Sequence, residues 1–184
     1  MEDKSLALTM AFEILSDDNL KVNNKVKINL IKKLSKCSGH MGIAGGQFLD
    51  LKYEKKKIPK KQIIDMEIKK TGMLFGFCCV APLIIKNKNF KLIKSFENIG
   101  LNIGLLFQIA DDLIDYTGQT HKAGKKTKKD QKKGKATLIS LLGHKNAVKY
   151  CYKIKSNIIK KLKNLGFKSF YLNETLNYII NRKK

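Results

Sequence analysis

A chain of 184 residues with 43% apolar side chains can bury a substantial core, which excludes a wholly disordered protein. Its 38 basic residues against 15 acidic ones give a net charge of +23. This points either to a polyanionic partner or to a coding sequence poor in G and C, which would also explain the abundant Ile and Asn and the single arginine, Arg182. Two prolines, no tryptophan and long stretches rich in Leu, Ile, Lys, Asn and Glu point to helices rather than a sandwich or barrel and predict an all-α chain.

The first predicted helix carries Leu6, Met10 and Ile14 with Ala7 and Ala11 on a core-like face, and the turn residues Ser16-Asp17-Asp18-Asn19 close it. A second helix starts at Asn23 or Asn24, turns Val26, Leu30, Leu34 and Cys37 inward and runs into the stretch Gly39 to Gly46. Four glycines in those eight residues would cost an isolated helix roughly 1 kcal/mol each, so they imply close packing or a close ligand. Gln47 and Asp50 follow on one face. After the loop Lys55-Lys56-Lys57-Ile58-Pro59, a helix starting near Pro59 carries Ile64, Ile68, Thr71, Phe75 and Cys78 as far as Ala81. Asn87 to Asn89 form a turn. Phe90 to about Tyr116 makes one long helix ended by Gly118, and Thr117 through Lys135 is a basic loop with eight lysines. Three helices follow, near Ala136 to Leu142, Asn146 to Leu165 and Ser169 to Ile180.

No repeat or linker divides the chain, so residues 1–184 read as a single domain. Cys37, Cys78, Cys79 and Cys151 lack zinc-like spacing and read as small buried hydrophobes in a reducing compartment. Apolar segments such as Thr71 to Ile85 stop short of the ~20 residues of a membrane span, and no export signal is present, so a cytoplasmic location is expected.

The acidic residues of the long helix carry the most chemistry. Asp111 and Asp115 stand one turn apart, Asp112 and Asp115 are three apart, and Gln108 lies one turn before Asp112, so all four share a face. Two carboxylates ~5–6 Å apart repel by about 3 kcal/mol at an effective dielectric near 20. On a helix whose other faces carry Leu105, Leu106, Ile109, Leu113 and Ile114, that crowding calls for a cation. Oxygen-only ligands suit Mg²⁺ shared with a substrate's phosphates. The lysines that follow are point-charge binders of phosphate.

The segment Phe107-Gln108-Ile109-Ala110-Asp111-Asp112-Leu113-Ile114-Asp115 resembles the second aspartate-rich motif of the short-chain trans-polyprenyl diphosphate synthases, the farnesyl and geranylgeranyl diphosphate synthase family. Leu8-Thr9-Met10-Ala11-Phe12-Glu13-Ile14-Leu15, Gly45-Gly46-Gln47-Phe48-Leu49-Asp50-Leu51, Lys70-Thr71-Gly72-Met73-Leu74-Phe75, Gly124-Lys125 and Gly134-Lys135-Ala136-Thr137 fall in the family's order at near its spacing. The resemblance implies a partial isoprenoid-synthase-type helical bundle that condenses isopentenyl diphosphate with an allylic diphosphate. It assigns Mg²⁺ to Asp111, Asp112 and Asp115, phosphate oxygens to Lys70, Lys125 and Lys135, and the allylic carbons to the neighbourhood of Thr71 and Gln108. Ala110 stands where relatives often carry a polar residue.

The family's earlier aspartate-rich motif, its paired arginines and its Gly-Gly-Lys segment have no counterpart, so the chain looks like the carboxy-terminal three-fifths of such a synthase. It is expected to be inactive or nearly so by itself, and to work as a homodimer or with an amino-terminal portion. Two alternatives stand beside a synthase: a non-catalytic partner of a complete subunit, and a basic nucleic-acid binder. The last leaves the acidic patch unexplained and offers no aromatic platform. A salt-sensitive RNA or DNA affinity indifferent to Asp111→Ala would favour it.

Overall fold

A computed structural model describes residues 2–122 and 136–182; for 2–5 and 118–122 it describes the backbone only. Among the described residues the chain is helical throughout. The helices are α1 (Glu2–Ser16), α2 (Asn24–Ser38), α3 (Ile43–Tyr53), α4 (Lys60–Glu67), α5 (Met73–Ile85), α6 (Phe90–Lys122), α7 (Leu138–Leu142), α8 (His144–Asn164) and α9 (Phe170–Asn181), with one turn of π-helix, Ile68–Gly72, joining α4 to α5.

The termini follow local chemistry. The Asn23 side chain accepts the Lys25 amide at 2.8 Å and so starts α2. Thr137 and Ser140 cap each other's backbone at the start of α7. Gly143, at φ 76°, makes the left-handed turn between α7 and α8.

Helix α6 is the axis of the molecule, in contact with α4, the π turn, α5, α7, α8 and α9. Leu106 and Ile109 are fully buried on it, with Ile99, Leu105 and Leu113 close behind, and they meet Ile63, Met66, Leu138, Cys151, Ile158 and Leu176. A second cluster, Leu30, Val80 and Ile84, joins α2 to α5. The tightest contact is made of glycines. A Cβ added at Gly104 would lie 2.5 Å from the Gly72 Cα, and one at Gly100 would lie 2.6 Å from the Phe75 carbonyl oxygen. Helix α6 can therefore lie directly on the π turn, which brings Thr71 against Gln108.

Several expectations need correction. Gly118 does not end α6, which continues to Lys122. One interior glycine costs about 1 kcal/mol, too little to stop a helix anchored by Leu113 and by the Thr117 hydroxyl, which donates back to the Leu113 carbonyl at 3.0 Å. The basic segment is accordingly helical at its start, and residues 123–135 lie outside the described residues. Cys78 is exposed and Cys79 half-buried, while Cys37 and Cys151 are buried. The most buried row of α5 is Gly76, Val80 and Ile84, while Ile64, Ile68 and Phe75 pack half-buried against the core.

Leu6, Met10 and Ile14 form an exposed stripe on α1 (61%, 48% and 58% exposed), matched by Phe48 and Leu51 on α3 (63% and 61%). Within this chain those faces are not core. Finally, α4, the π turn and α5 run on as one 26-residue helix, Lys60–Ile85, which by length and composition alone could cross a membrane. The apolar run is longer than Thr71 to Ile85 because the π turn does not break it. The same helix carries Asp65, Glu67, Lys69 and Lys70 and packs through Gly72 and Gly76 on α6, as a helix inside a bundle does.

Candidate functional site

A cleft of about 440 Å³ opens where α3, α4, the π turn, α6 and the residue after α9 meet. Asp50, Met66, Glu67, Lys70, Gln108, Asp111, Asp112, Ile114, Asp115, Thr137 and Arg182 line it. Five of the chain's 15 acidic residues are in this list. In a chain of net charge +23 the cleft therefore gathers acid, a distribution that nothing in the overall composition demands.

The sequence-derived residues meet as follows. The Thr71 hydroxyl donates to the Gln108 side-chain carbonyl at 2.9 Å, and the Gln108 amide donates in turn to an Asp112 carboxylate oxygen at 3.2 Å. This relay fixes which end of the Gln108 amide faces the acids. Lys70 pairs with Asp50 at 2.6 Å, with 26% and 14% of their side chains exposed. Asp50 is thus partnered across helices rather than with Gln47, which is exposed and does not line the cleft. Gly46 makes the pairing possible: a Cβ there would lie 2.2 Å from the Lys70 amide nitrogen. Of the two readings of the glycine-rich stretch, close packing holds at this position. Lys125 and Lys135 lie outside the described residues. Ala110 faces the core at 2% exposure, away from the cleft.

Two residues were not singled out by the sequence. Arg182, just past α9, pairs with Asp111 and lays its guanidinium 4.3 Å over the Phe107 ring, while its Nε is buried without a partner among the described residues. Its signal was rarity, as the one arginine among 38 basic residues. A planar fork that stacks and pairs at once is what lysine cannot supply. Glu67 is 2% exposed, and neither carboxyl oxygen has a hydrogen-bond partner among the described residues. Burial first, then the charge of Asp112, pushes its carboxyl from 4.5 up to about 9; the Leu138 backbone amide, close to the carboxyl but short of full hydrogen-bond geometry, and Lys70 oppose the shift. Its signal was spacing, because Glu67, Lys70 and Thr71 share a helix face.

The sign of the pH effect follows. Between pH 4.5 and about 9 the folded chain holds a proton on Glu67 that the unfolded chain has released, so stability falls as pH rises through that window. Glu67→Gln removes this dependence. In metal-free protein its thermal midpoint is expected to match wild type near pH 4.5 and to exceed it increasingly toward pH 9. At pH 8, 3.5 units above 4.5, the same linkage puts the gain on the order of 5 kcal/mol at roughly 1.4 kcal/mol per unit. Parallel melting curves of the two proteins across the window would refute this.

The Polyprenyl synthetase family model matches residues 3–169. The chain belongs to the polyprenyl synthetase family. The farnesyl diphosphate synthase of Micrococcus luteus is 34% identical over 177 residues, 96% of this chain and 60% of that enzyme. Among solved structures, an FPP/GFPP synthase from Zymomonas mobilis superposes with a TM-score of 0.76 at 35% identity, over 93% of this chain and 57% of the other. A Helicobacter pylori geranyltransferase, complexed with magnesium and isoprenyl diphosphate, does so with 0.74 at 32% identity, over 94% and 56%. This member of the polyprenyl synthetase family thus spans 60% of the length of the Micrococcus luteus enzyme and about half the length of several other curated relatives.

For Mg²⁺ the donor chemistry fits one open wall rather than a cage. Among the described residues no three His, Cys, Asp or Glu side chains stand close enough to hold a metal by themselves. The three aspartates are hard oxygen donors on a single helix, and Mg²⁺ is commonly held by one or two carboxylates, with waters and substrate phosphates completing its shell.

Proposed function

We propose that this chain supplies the aspartate and lysine side of a prenyltransferase site, in which isopentenyl diphosphate condenses with an allylic diphosphate. The observation that carries this reading is one cleft lined together by Lys70, Gln108, Asp111, Asp112 and Asp115 in a chain of this family. Mg²⁺, when bound, supplies the positive charge that neutralises diphosphate as it departs. Asp111, Asp112 and Asp115 would hold it from α6. Lys70, with two donors to spare beyond Asp50, would bind phosphate oxygen, as would Lys125 and Lys135. Thr71 holds Gln108 and, through it, Asp112 in register, so that fixed groups face the developing charge without reorganising. Met66 and Ile114 line the same cleft and keep water from the allylic carbons. A homodimer, or a complex with an amino-terminal portion, and a cytoplasmic location belong to this reading.

Mixing the chain with the amino-terminal two-fifths of a farnesyl diphosphate synthase, Mg²⁺ and both diphosphates tests it. Prenyl diphosphate product is expected from the mixture and little or none from the chain by itself. A stable complex without product favours the second reading, a non-catalytic partner subunit. The exposed stripes of α1 and α3 support such docking, since apolar faces of that kind mark interaction surfaces.

A further inference from the structure

The end of the bundle away from the acidic cleft carries the opposite charge. Residues 85–95, which turn from α5 into α6, and residues 159–171, which turn from α8 into α9, hold eight lysines, all exposed, and no acidic residue. The two turns are neighbours. The Phe96 and Phe167 rings meet edge to face at 5.1 Å, and Lys161 donates to the side-chain oxygen of Asn98. Between the turns lies an open groove of about 530 Å³, lined by Phe90 and Leu165 together with Lys91, Lys94 and Lys161. Large apolar side chains stand in water at the same place: Phe90 is 79%, Phe170 69%, Tyr171 84% and Ile85 43% exposed. From Phe90 to Asp111 the helix α6 rises about 32 Å, so base and acid occupy opposite ends of one axis.

We propose that this end of the bundle docks on the surface of a lipid bilayer rich in anionic headgroups. The charge fixes the sign of the partner, because lysines close to such a surface are held by its negative potential. The apolar tips fix its kind. Aromatic and aliphatic side chains gain by entering the boundary between headgroups and acyl chains, and their long lysine neighbours keep their ammonium groups at headgroup level. A single-stranded nucleic acid would supply the charge, but it rewards flat rings ranged along a track. Ile85 and Leu165 offer no face on which a base stacks. A second copy of this chain would set eight lysines against eight. The acidic cleft does not oppose the docking, since about 32 Å is roughly four Debye lengths at physiological salt. It would face away from the bilayer and stay open to solvent. The inference is independent of the catalytic role given to the cleft.

Sedimentation with vesicles at near-physiological salt tests this. The 184-residue chain should partition onto vesicles of phosphatidylcholine and phosphatidylglycerol in equal parts, and stay in solution with phosphatidylcholine alone. Phe90→Ser combined with Phe170→Ser should weaken partitioning about tenfold. Lys86→Gln, Lys88→Gln, Lys91→Gln and Lys168→Gln together should weaken it by at least about tenfold. All six positions are exposed, and circular dichroism of each variant confirms that its helices are formed. A second lysine set removes the same charge elsewhere: Lys55→Gln, Lys56→Gln, Lys57→Gln and Lys61→Gln lie at or just before the far end of the helix Lys60–Ile85, about 36 Å away. That set should leave partitioning within about twofold of wild type. Equal losses in the two lysine sets would reduce the attraction to net charge and overturn the proposal, and so would partitioning indifferent to the phenylalanine pair. If the phenylalanine variant loses affinity for a single-stranded oligouridylate but keeps its vesicle binding, the face belongs to nucleic acid instead. A lipid-free dimer split by that variant would give the face to a second copy, and displacement of the vesicles by an amino-terminal synthase portion would give it to that portion.

Discussion

Replacing Asp111, Asp112 and Asp115 together with asparagine should abolish Mg²⁺-dependent binding of diphosphate and lower turnover of the assembled form by at least about 10³-fold. Asparagine keeps the size and one acceptor oxygen of each side chain, so the helix survives, anchored as it is by Leu106, Ile109 and Leu113. What disappears is charge. With three negative charges gone, the walls keep Asp50, paired to Lys70, and Glu67. Neither suffices to hold a strongly hydrated dication against bulk water. The same change strips Arg182 of its carboxylate partner while its side chain is only 19% exposed. A secondary loosening of the segment after α9 should therefore accompany the functional loss. Isothermal calorimetry with pyrophosphate and Mg²⁺ gives the first readout and product formation the second. Unchanged heat and unchanged turnover in the triple variant would remove the basis of the proposed function.

Gly46→Ala should destabilise the chain by about 1–3 kcal/mol, although in an isolated helix it would stabilise by up to about 1 kcal/mol. The sign is decided by what the new Cβ meets. It would lie 2.2 Å from the Lys70 amide nitrogen, 2.5 Å from its Cα and 2.8 Å from the Lys69 carbonyl carbon. All three are backbone atoms, and they belong to the π turn that also lies against Gly104 of α6, so they cannot step aside without moving the central helix. Helix α3 must back away instead, carrying Asp50 from its 2.6 Å contact with Lys70. The melting temperature should fall by about 3–10 °C, at roughly 2–4 °C per kcal/mol for a chain of this size. Diphosphate affinity should drop with it, because Lys70 loses the carboxylate that orients it. An alanine variant melting at or above the wild-type temperature would show that α3 does not lie against the π turn this closely.

Much of the architecture is legible in the amino-acid order. Helical periodicity and turn residues place α2, α8 and α9 within a few residues of their ends, and the start of α6 but not its end, because Asn23, Asn89 and Gly166 act through their own backbone chemistry and need no distant partner. The common face of Gln108, Asp111, Asp112 and Asp115 is likewise a local property, since any regular helix would bring those four positions together. Contacts across the chain are of another kind. The close contact between α5 and α6 is not legible in the sequence, because it is built on Gly72, Gly76, Gly100 and Gly104, which leave no apolar signal. That Leu6, Met10 and Ile14 face outward depends on what packs on α1, not on their own hydrophobicity. Arg182 meets Asp111 across 71 positions of sequence, and Glu67 turns into an acidic cleft from a helix whose period marks it only as one of a face with Lys70 and Thr71. The sequence by itself determined the helices and the acid-bearing face of α6. Only tertiary packing decided which charges meet, because a side chain's neighbours, burial and proton are set by the helices brought against it.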